Sequence, residues 1–234
     1  MARQLPQSPA TYFCGPFAYP MKKTILLLTT LLLALHAFSQ DDPKSRAIVD
    51  RLIAKNKSYK SFDADFTSRL VNSASKLDLT QEGNLKVKDR KFRLTLMDNV
   101  VINDGAALWT YSKKTNEVSI SDPGGMDETL DPANLFNVYE KGFKSQYVGS
   151  STEGGVAVET IKLFPLDPAK KAFHTVILTV DKAKVEPRRV VMKYKDGNEV
   201  TYTLKRFVPN AEMVDALFSF DKGKYPGVEV NDLR

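Results

Sequence analysis

The stretch Gly83–Tyr111, GNLKVKDRKFRLTLMDNVVINDGAALWTY, decides the fold because tight turns separate short runs of β-type residues within it. Apolar and polar residues alternate in the runs that begin near Leu85 and Phe92, which is the period of a strand with one buried face. The turn signal Asn-Asp-Gly at 103–105 favours a positive φ, and Leu108–Tyr111 follows as another strand. The stretch therefore predicts antiparallel strands joined by short turns.

The remainder of the chain has the same strand pattern and little helical periodicity. Ile48, Leu52 and Ile53 have the spacing of an amphipathic helix, which we predict over residues 45–58. The turn signal at 196–198 marks a further hairpin. Short links favour one antiparallel sheet in a mainly β fold of the α+β class, in a single domain. The predicted strands lie at 62–71, 77–88, 91–97, 99–103, 107–111, 116–120, 144–149, 156–164, 173–181, 187–195, 199–208 and 216–220.

One segment interrupts the strands and predicts a short helix. Asp131 can cap a helix, and Pro132 suits the first helical turn. The segment follows a loop at 122–125 that contains two glycines. A helix inserted into a strongly curved sheet is expected to cover its concave face, so we predict a helical lid over residues 127–142.

The first 39 residues are expected to carry an export address. A basic start at Met21–Lys23 precedes an apolar core, 25–37, that is too short to span a bilayer, and small residues end at Ser39. This predicts a signal peptide over residues 21–39, cleavage near Ser39/Gln40 and a domain over 40–234. Residues 1–20 are expected to be an extension from an upstream start codon that is not the one used.

The cysteine content and the charge exclude several classes of function for the exported chain. The only cysteine, Cys14, precedes the apolar core, so we expect no lipid anchor, disulfide, thiolate zinc site or cysteine nucleophile. Removal of Arg3, Lys22 and Lys23 with the signal lowers the formal net charge from +6 to +3. Because the remaining basic residues alternate with acids, we predict no nucleic-acid partner.

The residues that an enzyme needs are sparse, so no catalytic residue and no cofactor is predicted. His174 is the single histidine after residue 39, and it lies within a predicted strand without a nucleophile motif nearby. Asp63 and Asp65 share a strand face, so a carboxylate pair for glycoside hydrolysis stays open as an alternative. Turn and cap roles are favoured over calcium binding for the acids Asp122, Asp127, Glu128 and Asp131. No metal site is predicted.

Apolar side chains on the predicted strands fit two interpretations. They could form an ordinary core, or they could line a cavity for a lipophilic ligand. The candidate lining residues are Phe66, Phe92, Leu94, Leu96, Trp109, Tyr111, Ile161, Leu163, Phe173 and Ile177.

Three motifs in the opening stretch resemble those of the LolA family, the periplasmic carriers of outer-membrane lipoproteins. They are a G-x-L-x-V-K strand at 83–88, an F-R strand at 92–93 and a D-G-x-x-L-W-x-Y hairpin at 104–111. Segments 58–67, 163–166, 218–220 and 226–228 extend the resemblance over most of residues 44 to 230. The chain departs from the family pattern at Lys88-Asp89-Arg90, where the family usually has Lys-Arg-Pro.

The resemblance implies an unclosed half-barrel whose apolar cavity binds acyl chains of lipoproteins or another lipid. It also implies a monomer in the periplasm that is loaded by an inner-membrane exporter and unloaded by an outer-membrane acceptor. Leu135, Phe136, Val138 and Tyr139 are predicted to plug the empty cavity as part of the lid. Arg90 and Arg93 are candidates for hydrogen bonds to a lid or acyl carbonyl, with an ordinary surface role as the alternative.

Two other functions stay open from the sequence. The same half-barrel could serve as a periplasmic sensor of lipid or lipoprotein. A hydrolase of the cell envelope is the second alternative, which the missing pair of nucleophile and base argues against.

Overall fold

The computed structural model describes residues 42–123 and 141–234, which form one helix, α1, twelve strands and short 3₁₀ helices. The predicted helix and the first eleven predicted strands, up to 199–208, are confirmed with small shifts of their ends. The bounds are α1 Pro43–Lys57, β1 Ser61–Asn72, β2 Leu77–Lys88, β3 Lys91–Leu96, β4 Asn99–Asn103, β5 Leu108–Ser112, β6 Glu117–Ser121, β7 Phe143–Glu153, β8 Val156–Pro165, β9 Phe173–Asp181, β10 Glu186–Tyr194, β11 Asn198–Pro209 and β12 Glu229–Asp232.

All twelve strands belong to one curved sheet that does not close, in the order β12-β6-β5-β4-β3-β2-β1-β11-β10-β9-β8-β7. The predicted fold class is therefore confirmed. Neighbours pair antiparallel except β12, which lies parallel to β6. The chain builds β1–β6 as a meander, builds β7–β11 as a second meander, and joins the two where β11 pairs with β1.

The strand register divides the side chains between two faces. Ala64, Leu85, Leu94 and Val101 are opposite one another in β1–β4 and share one face. Their sequence neighbours point to the other face, because successive side chains of a strand alternate. We call the face against which α1 packs the inner face, and the opposite one the outer face.

Helix α1 begins where local chemistry favours it. Asp42 accepts a hydrogen bond from the Lys44 amide at 3.0 Å, and Pro43 occupies the first turn. The other carboxylate oxygen of Asp42 accepts from the Tyr147 amide on β7 at 2.7 Å. The hydroxyl of Ser45, which is fully buried, lies 2.8 Å from the hydroxyl of Ser145 and is hydrogen-bonded to it. These bonds fix the start of α1 on the edge of the sheet.

The buried face of α1 fills one half of the inner face. Ile48, Val49 and Leu52 are at most 2% exposed, and they pack on side chains of β7–β10. We call this group the helix-covered cluster; its sheet members are Phe143, Ile161, Leu163, Phe173, Val176, Leu178, Val180, Val190 and Met192. Among the helices of the described residues, none is long and apolar enough to cross a membrane.

The end of the chain covers the outer face of β4–β6. Phe220 stacks on Trp109 with ring centroids 5.5 Å apart, and Tyr225 stacks on Phe220 at 4.7 Å. The predicted strand 216–220 is wrong, because the 3₁₀ helix Asp215–Phe218 begins this segment. The short β12 was not predicted, since Val230 is its only apolar residue. The predicted lid residues Leu135, Phe136, Val138 and Tyr139 lie outside the described part of the chain.

Candidate functional site

A second apolar group occupies the other half of the inner face, around β1–β5 and β11. We call it the partly exposed cluster, because only some of its side chains are buried. Its buried members are Ala64, Phe66, Leu85, Phe92 and Leu108. Partly buried side chains surround them: Phe62, Val87, Leu94, Leu96, Val101, Tyr202, Leu204 and Phe207. Tyr202 also packs against the helix-covered cluster and so connects the two halves.

Gly83 makes room for an aromatic ring at the centre of this cluster. Phe66 lies directly opposite Gly83 in the β1–β2 pair, and a Cβ added at Gly83 would come within 2.5 Å of the Phe66 ring. The ring meets Tyr202 edge to face at 6.0 Å. The missing side chain at Gly83, inside β2, leaves the space that the Phe66 ring occupies.

A cavity of about 140 Å³ adjoins the cluster at the end of α1. Phe62, Val87 and Phe207 line its apolar side, and Tyr59 and Lys60 lie on the helix side. Ligand pockets for drug-sized molecules usually measure about 300–1,000 Å³. The cavity in this conformation is therefore too small for a long acyl chain, and binding such a chain would require side chains to move.

The structure brings seven of the ten predicted lining residues onto the inner face. Phe66, Phe92, Leu94 and Leu96 belong to the partly exposed cluster. Ile161, Leu163 and Phe173 belong to the helix-covered cluster and are at most 1% exposed. The prediction therefore combined two groups that the fold separates.

The remaining three predicted lining residues lie on the outer face, so their assignment to one common cavity is corrected. Trp109 and Tyr111 pack under the end of the chain, and the Trp109 ring nitrogen donates to Asp104 at 2.9 Å. Ile177 lies opposite Lys162 and Val191, on the face away from α1. For Trp109 and Tyr111, apolar character alone misled the prediction, because both faces of β4 and β5 carry apolar residues and the end of the chain covers the outer one.

The two arginine candidates have different surroundings. Arg93 lies on the outer face, where it donates to the Leu217 carbonyl at 3.3 Å and to the Tyr225 hydroxyl at 3.4 Å. Its predicted contact with the lid or an acyl carbonyl is corrected: Arg93 holds the C-terminal segment. Arg90 is exposed in the turn between β2 and β3, next to Asp89 with φ of 55°.

The sequence analysis missed most of the cluster, although the signal was present. Side chains two residues apart in a strand share a face. The inward positions of Phe66 and Phe92, extended along the strands and across their turns, therefore identify the missed residues on β1–β5. On β11 the parity changes, because the register shifts between Asp65 and Phe66 and leaves Lys205 as an extra residue. The missed members are Phe62, Ala64, Leu85, Val87, Val101, Leu108, Tyr202, Leu204 and Phe207.

The carboxylates that suggested glycoside hydrolysis form a charged network on the outer face. Arg206 donates to Asp65 at 2.6 Å and to Asp63 at 2.9 Å, while Lys86 and Asn84 also donate to Asp63. Burial would raise the pKa of Asp63, but these hydrogen bonds outweigh it and lower that pKa. Hydrogen bonds from Arg206 and Asn84 lower the pKa of Asp65. A general acid needs a raised pKa, so this pair does not support hydrolysis.

The other candidates for chemistry also lack partners of the expected kind. His174 is exposed, and its Nδ1 lies 2.8 Å from the neighbouring Thr175 hydroxyl. Asp122 is exposed at the end of β6, whereas Asp127, Glu128 and Asp131 lie outside the described residues. The apolar inner face is therefore the candidate functional site of this single-sheet protein.

Comparison with known proteins identifies the family. The sequence profile of the outer membrane lipoprotein carrier protein LolA matches residues 57–221, so the chain belongs to the LolA family and the resemblance in its motifs is confirmed. A comparison with curated protein sequences finds no match.

Several solved structures are similar to this chain at low sequence identity. An uncharacterized conserved protein from Thermus thermophilus is 13% identical with a TM-score of 0.54, over 81% of this chain and 99% of that chain. A putative outer membrane lipoprotein-sorting protein domain from Vibrio parahaemolyticus is 12% identical, with a TM-score of 0.44 over 75% and 96%. The lipoprotein LppX from Mycobacterium tuberculosis is 15% identical, with a TM-score of 0.46 over 74% and 98%. Of these three, the first alone is close enough to support the fold.

Proposed function

We propose that the protein carries acyl chains of lipoproteins across the periplasm, from the inner to the outer membrane, and binds them on the partly exposed cluster. Membership of the LolA family supports this role. The observation that carries the proposal is the continuous apolar inner surface from Phe62 to Leu108, which the adjoining helix leaves uncovered: α1 packs on β7–β10.

Transfer energetics explain why such a surface suits a carrier. Each acyl methylene removed from water contributes about 0.8 kcal/mol, so a chain of ~15 methylenes gains on the order of 10 kcal/mol. Side chains that are only partly buried can gain further burial against the chain. Because Leu94, Leu96 and Val101 form an apolar row on β3 and β4, a bound chain would pack on side chains that need no hydration.

Release requires that the closed and open states have similar free energies. The proposal assigns residues 127–142 as a lid whose Leu135, Phe136, Val138 and Tyr139 occupy the empty surface and give way to the acyl chain. It also assigns residues 21–39 as a signal peptide and the periplasm as the location. An inner-membrane exporter, an outer-membrane acceptor and a monomeric carrier complete the proposed pathway, and no catalytic step or cofactor is proposed.

The test is native mass spectrometry with lipid extraction on the protein purified from the periplasm of cells that express the full chain. We expect acylated peptide or lipoprotein at one copy per chain. Protein that is consistently empty and also fails to take up an added triacylated lipopeptide would contradict the proposal.

A matched pair of variants links the cargo to the site. Leu96→Asp places a charge on the inner surface and should abolish lipid retention, because the carboxylate would lose its hydration under an acyl chain. Thr80→Asp adds the same charge at an exposed residue of β2 that lies opposite Arg69 on the outer face, and it should retain lipid. Equal retention by both folded variants would contradict the assignment of the cargo to this surface.

A further inference from the structure

The sheet is split at one place between β10 and β11. These strands pair from Lys193 and Glu199 as far as Arg189 and Thr203, where their pairing ends. Beyond that point β10 pairs only with β9, and β11 pairs only with β1. The two strands therefore diverge towards the end of the sheet where α1 ends, and they leave a notch between neighbouring strands.

Both strands contain a bulge at the start of the notch. The β9–β10 register shifts between Pro187 and Arg189, which makes Arg188 the extra residue, and the β1–β11 register shifts so that Lys205 is the extra residue. Bulges end strand pairing and redirect side chains, and Pro187 cannot donate a backbone hydrogen bond across the gap. The notch is thus specified by the sequence of both strands.

The notch contains a small cavity that reaches the partly exposed cluster. This cavity of about 110 Å³ is lined by Leu204 and Phe207 of the cluster and by charged side chains, which are the four bases Lys184, Arg188, Lys205 and Arg206 and the two acids Asp181 and Glu186. Phe207 also lines the cavity at the end of α1. One aromatic ring therefore separates the two cavities.

Tyr59 completes the barrier from the helix side. Its ring lies 5.6 Å from the Phe207 ring, and its hydroxyl donates to Glu186 of β10 at 3.5 Å. Burial, followed by the charge of Glu186, raises the pKa of Tyr59 to about 12, and burial raises the pKa of Glu186. Tyr59 therefore contacts both diverging strands, with its ring against β11 and its hydroxyl on β10.

We propose that the notch is a lateral entrance through which an acyl chain reaches the partly exposed cluster, while Arg188 and Lys205 at its rim bind an anionic head group. The inference rests on the proposed lipid-binding function. Tyr59 and Phe207 form the gate, since movement of two rings joins both cavities to the cluster. Guanidinium and ammonium groups are suited to phosphate oxygens, and the ion pair between Arg188 and Asp181 is long, at 3.9 Å.

The test of the gate distinguishes a change in the rates of lipid entry and exit from a change in Kd. Stopped-flow fluorescence measures the association and dissociation of NBD-labelled lysophosphatidylglycerol. Tyr59→Phe, which loses the bond to Glu186, should accelerate both rates about fivefold or more and change Kd less than twofold, because a gate affects both directions equally and Tyr59 lies outside the partly exposed cluster. Tyr147→Phe is the matched control, since it loses one hydroxyl contact, with Ser150 at 2.6 Å, away from the notch.

The test of the rim compares two head groups. Arg188→Gln with Lys205→Gln should weaken binding of the anionic probe about tenfold and leave NBD-labelled lysophosphatidylcholine unchanged. Lys193→Gln, on the same strand but paired with Glu199 at 3.0 Å, should change neither. Binding of the triacylated lipopeptide without binding of either probe would overturn the entrance and its head-group site alone, whereas failure to bind the lipopeptide as well would contradict the carrier function itself. Probe binding with unchanged rates in Tyr59→Phe would overturn the entrance, and equal losses for both probes would overturn the head-group site.

Discussion

The two halves of the inner face differ in how completely their apolar side chains are covered. In the helix-covered cluster Leu52, Ile161 and Leu178 are fully buried. In the partly exposed cluster Leu94, Leu96 and Val101 keep part of their surface exposed. Both halves have the same strand pattern and are joined by Tyr202. The difference therefore arises from the position of α1 and not from the composition of the strands.

This division separates stability from ligand binding. A filled cluster contributes to the free energy of unfolding at all times. A cluster with exposed apolar area gains further burial when a ligand arrives. Substitutions in the helix-covered cluster should therefore change the free energy of unfolding, and substitutions in the partly exposed cluster should change lipid affinity.

The largest effect is expected from Leu52→Ala in the helix-covered cluster. A fully buried leucine replaced by alanine leaves a cavity, and it should lower the free energy of unfolding by about 2–5 kcal/mol. Urea denaturation followed by circular dichroism measures this change. The folded variant should bind the lipid probe with wild-type affinity. A loss of binding without a loss of stability would break the division between the two halves.

Gly83→Ala should give the next largest effect, and it acts on both properties. The new Cβ would meet the Phe66 ring, and relief of such overlap usually costs about 1–3 kcal/mol. Displacing Phe66 also changes the proposed binding surface, so lipid affinity should fall. Urea denaturation and fluorescence titration measure the two changes.

Gly149→Ala is the matched control for Gly83→Ala. Gly149 is also inside a strand, but a Cβ there would meet nothing within 4 Å and its φ is not positive. Its stability should stay within about 0.5 kcal/mol of wild type or rise slightly. If both alanine variants lose equal stability, strand glycines are generally needed and the Phe66 contact is not the cause.

Leu94→Ala should affect binding more than stability. Because the side chain is only partly buried, the loss of stability should be about 1 kcal/mol or less, whereas lipid affinity should fall about tenfold. Ile177→Ala is the control, since it removes a similar side chain from the outer face. Equal affinities in the two variants would mean that the partly exposed cluster is not the binding surface.

Strand positions could be predicted from the sequence because alternation and turn residues are local signals. Tracing the inward parity of Phe92 through the turn at 103–105 selects Leu108 and rejects Trp109. Alternation alone does not show which apolar side chains of β4–β6 face inward, because Phe220 and Tyr225 cover the outer face and apolar residues occur on both faces. The position of Arg93 depends on the same distant segment, so its partners Leu217 and Tyr225 have no local signal.

The charged network on the outer face should give the smallest effect, and it should depend on pH. Hydrogen bonds hold the pKa values of Asp63 and Asp65 below their usual values. A lowered folded pKa stabilises the protein above the unfolded pKa, and that stabilisation is lost as the pH falls through the folded pKa. Arg206→Gln should therefore lower the urea midpoint at pH 7 and approach the wild-type midpoint as the pH falls through the lowered pKa values of the two carboxyl groups.

The matched control for Arg206→Gln is Arg69→Gln, which breaks an ion pair with Asp78 in which both side chains are more than half exposed. Solvent screens such a pair, so its change at pH 7 should be smaller than that of Arg206→Gln. Neither variant should alter the affinity for the zwitterionic probe, because both networks lie on the outer face and the notch that Arg206 lines is proposed to bind only an anionic head group. If Arg206→Gln weakened binding of the zwitterionic probe while the fold stayed intact, the two faces of β1 would be coupled, and the separation of stability from binding would hold only for the helix-covered half of the sheet.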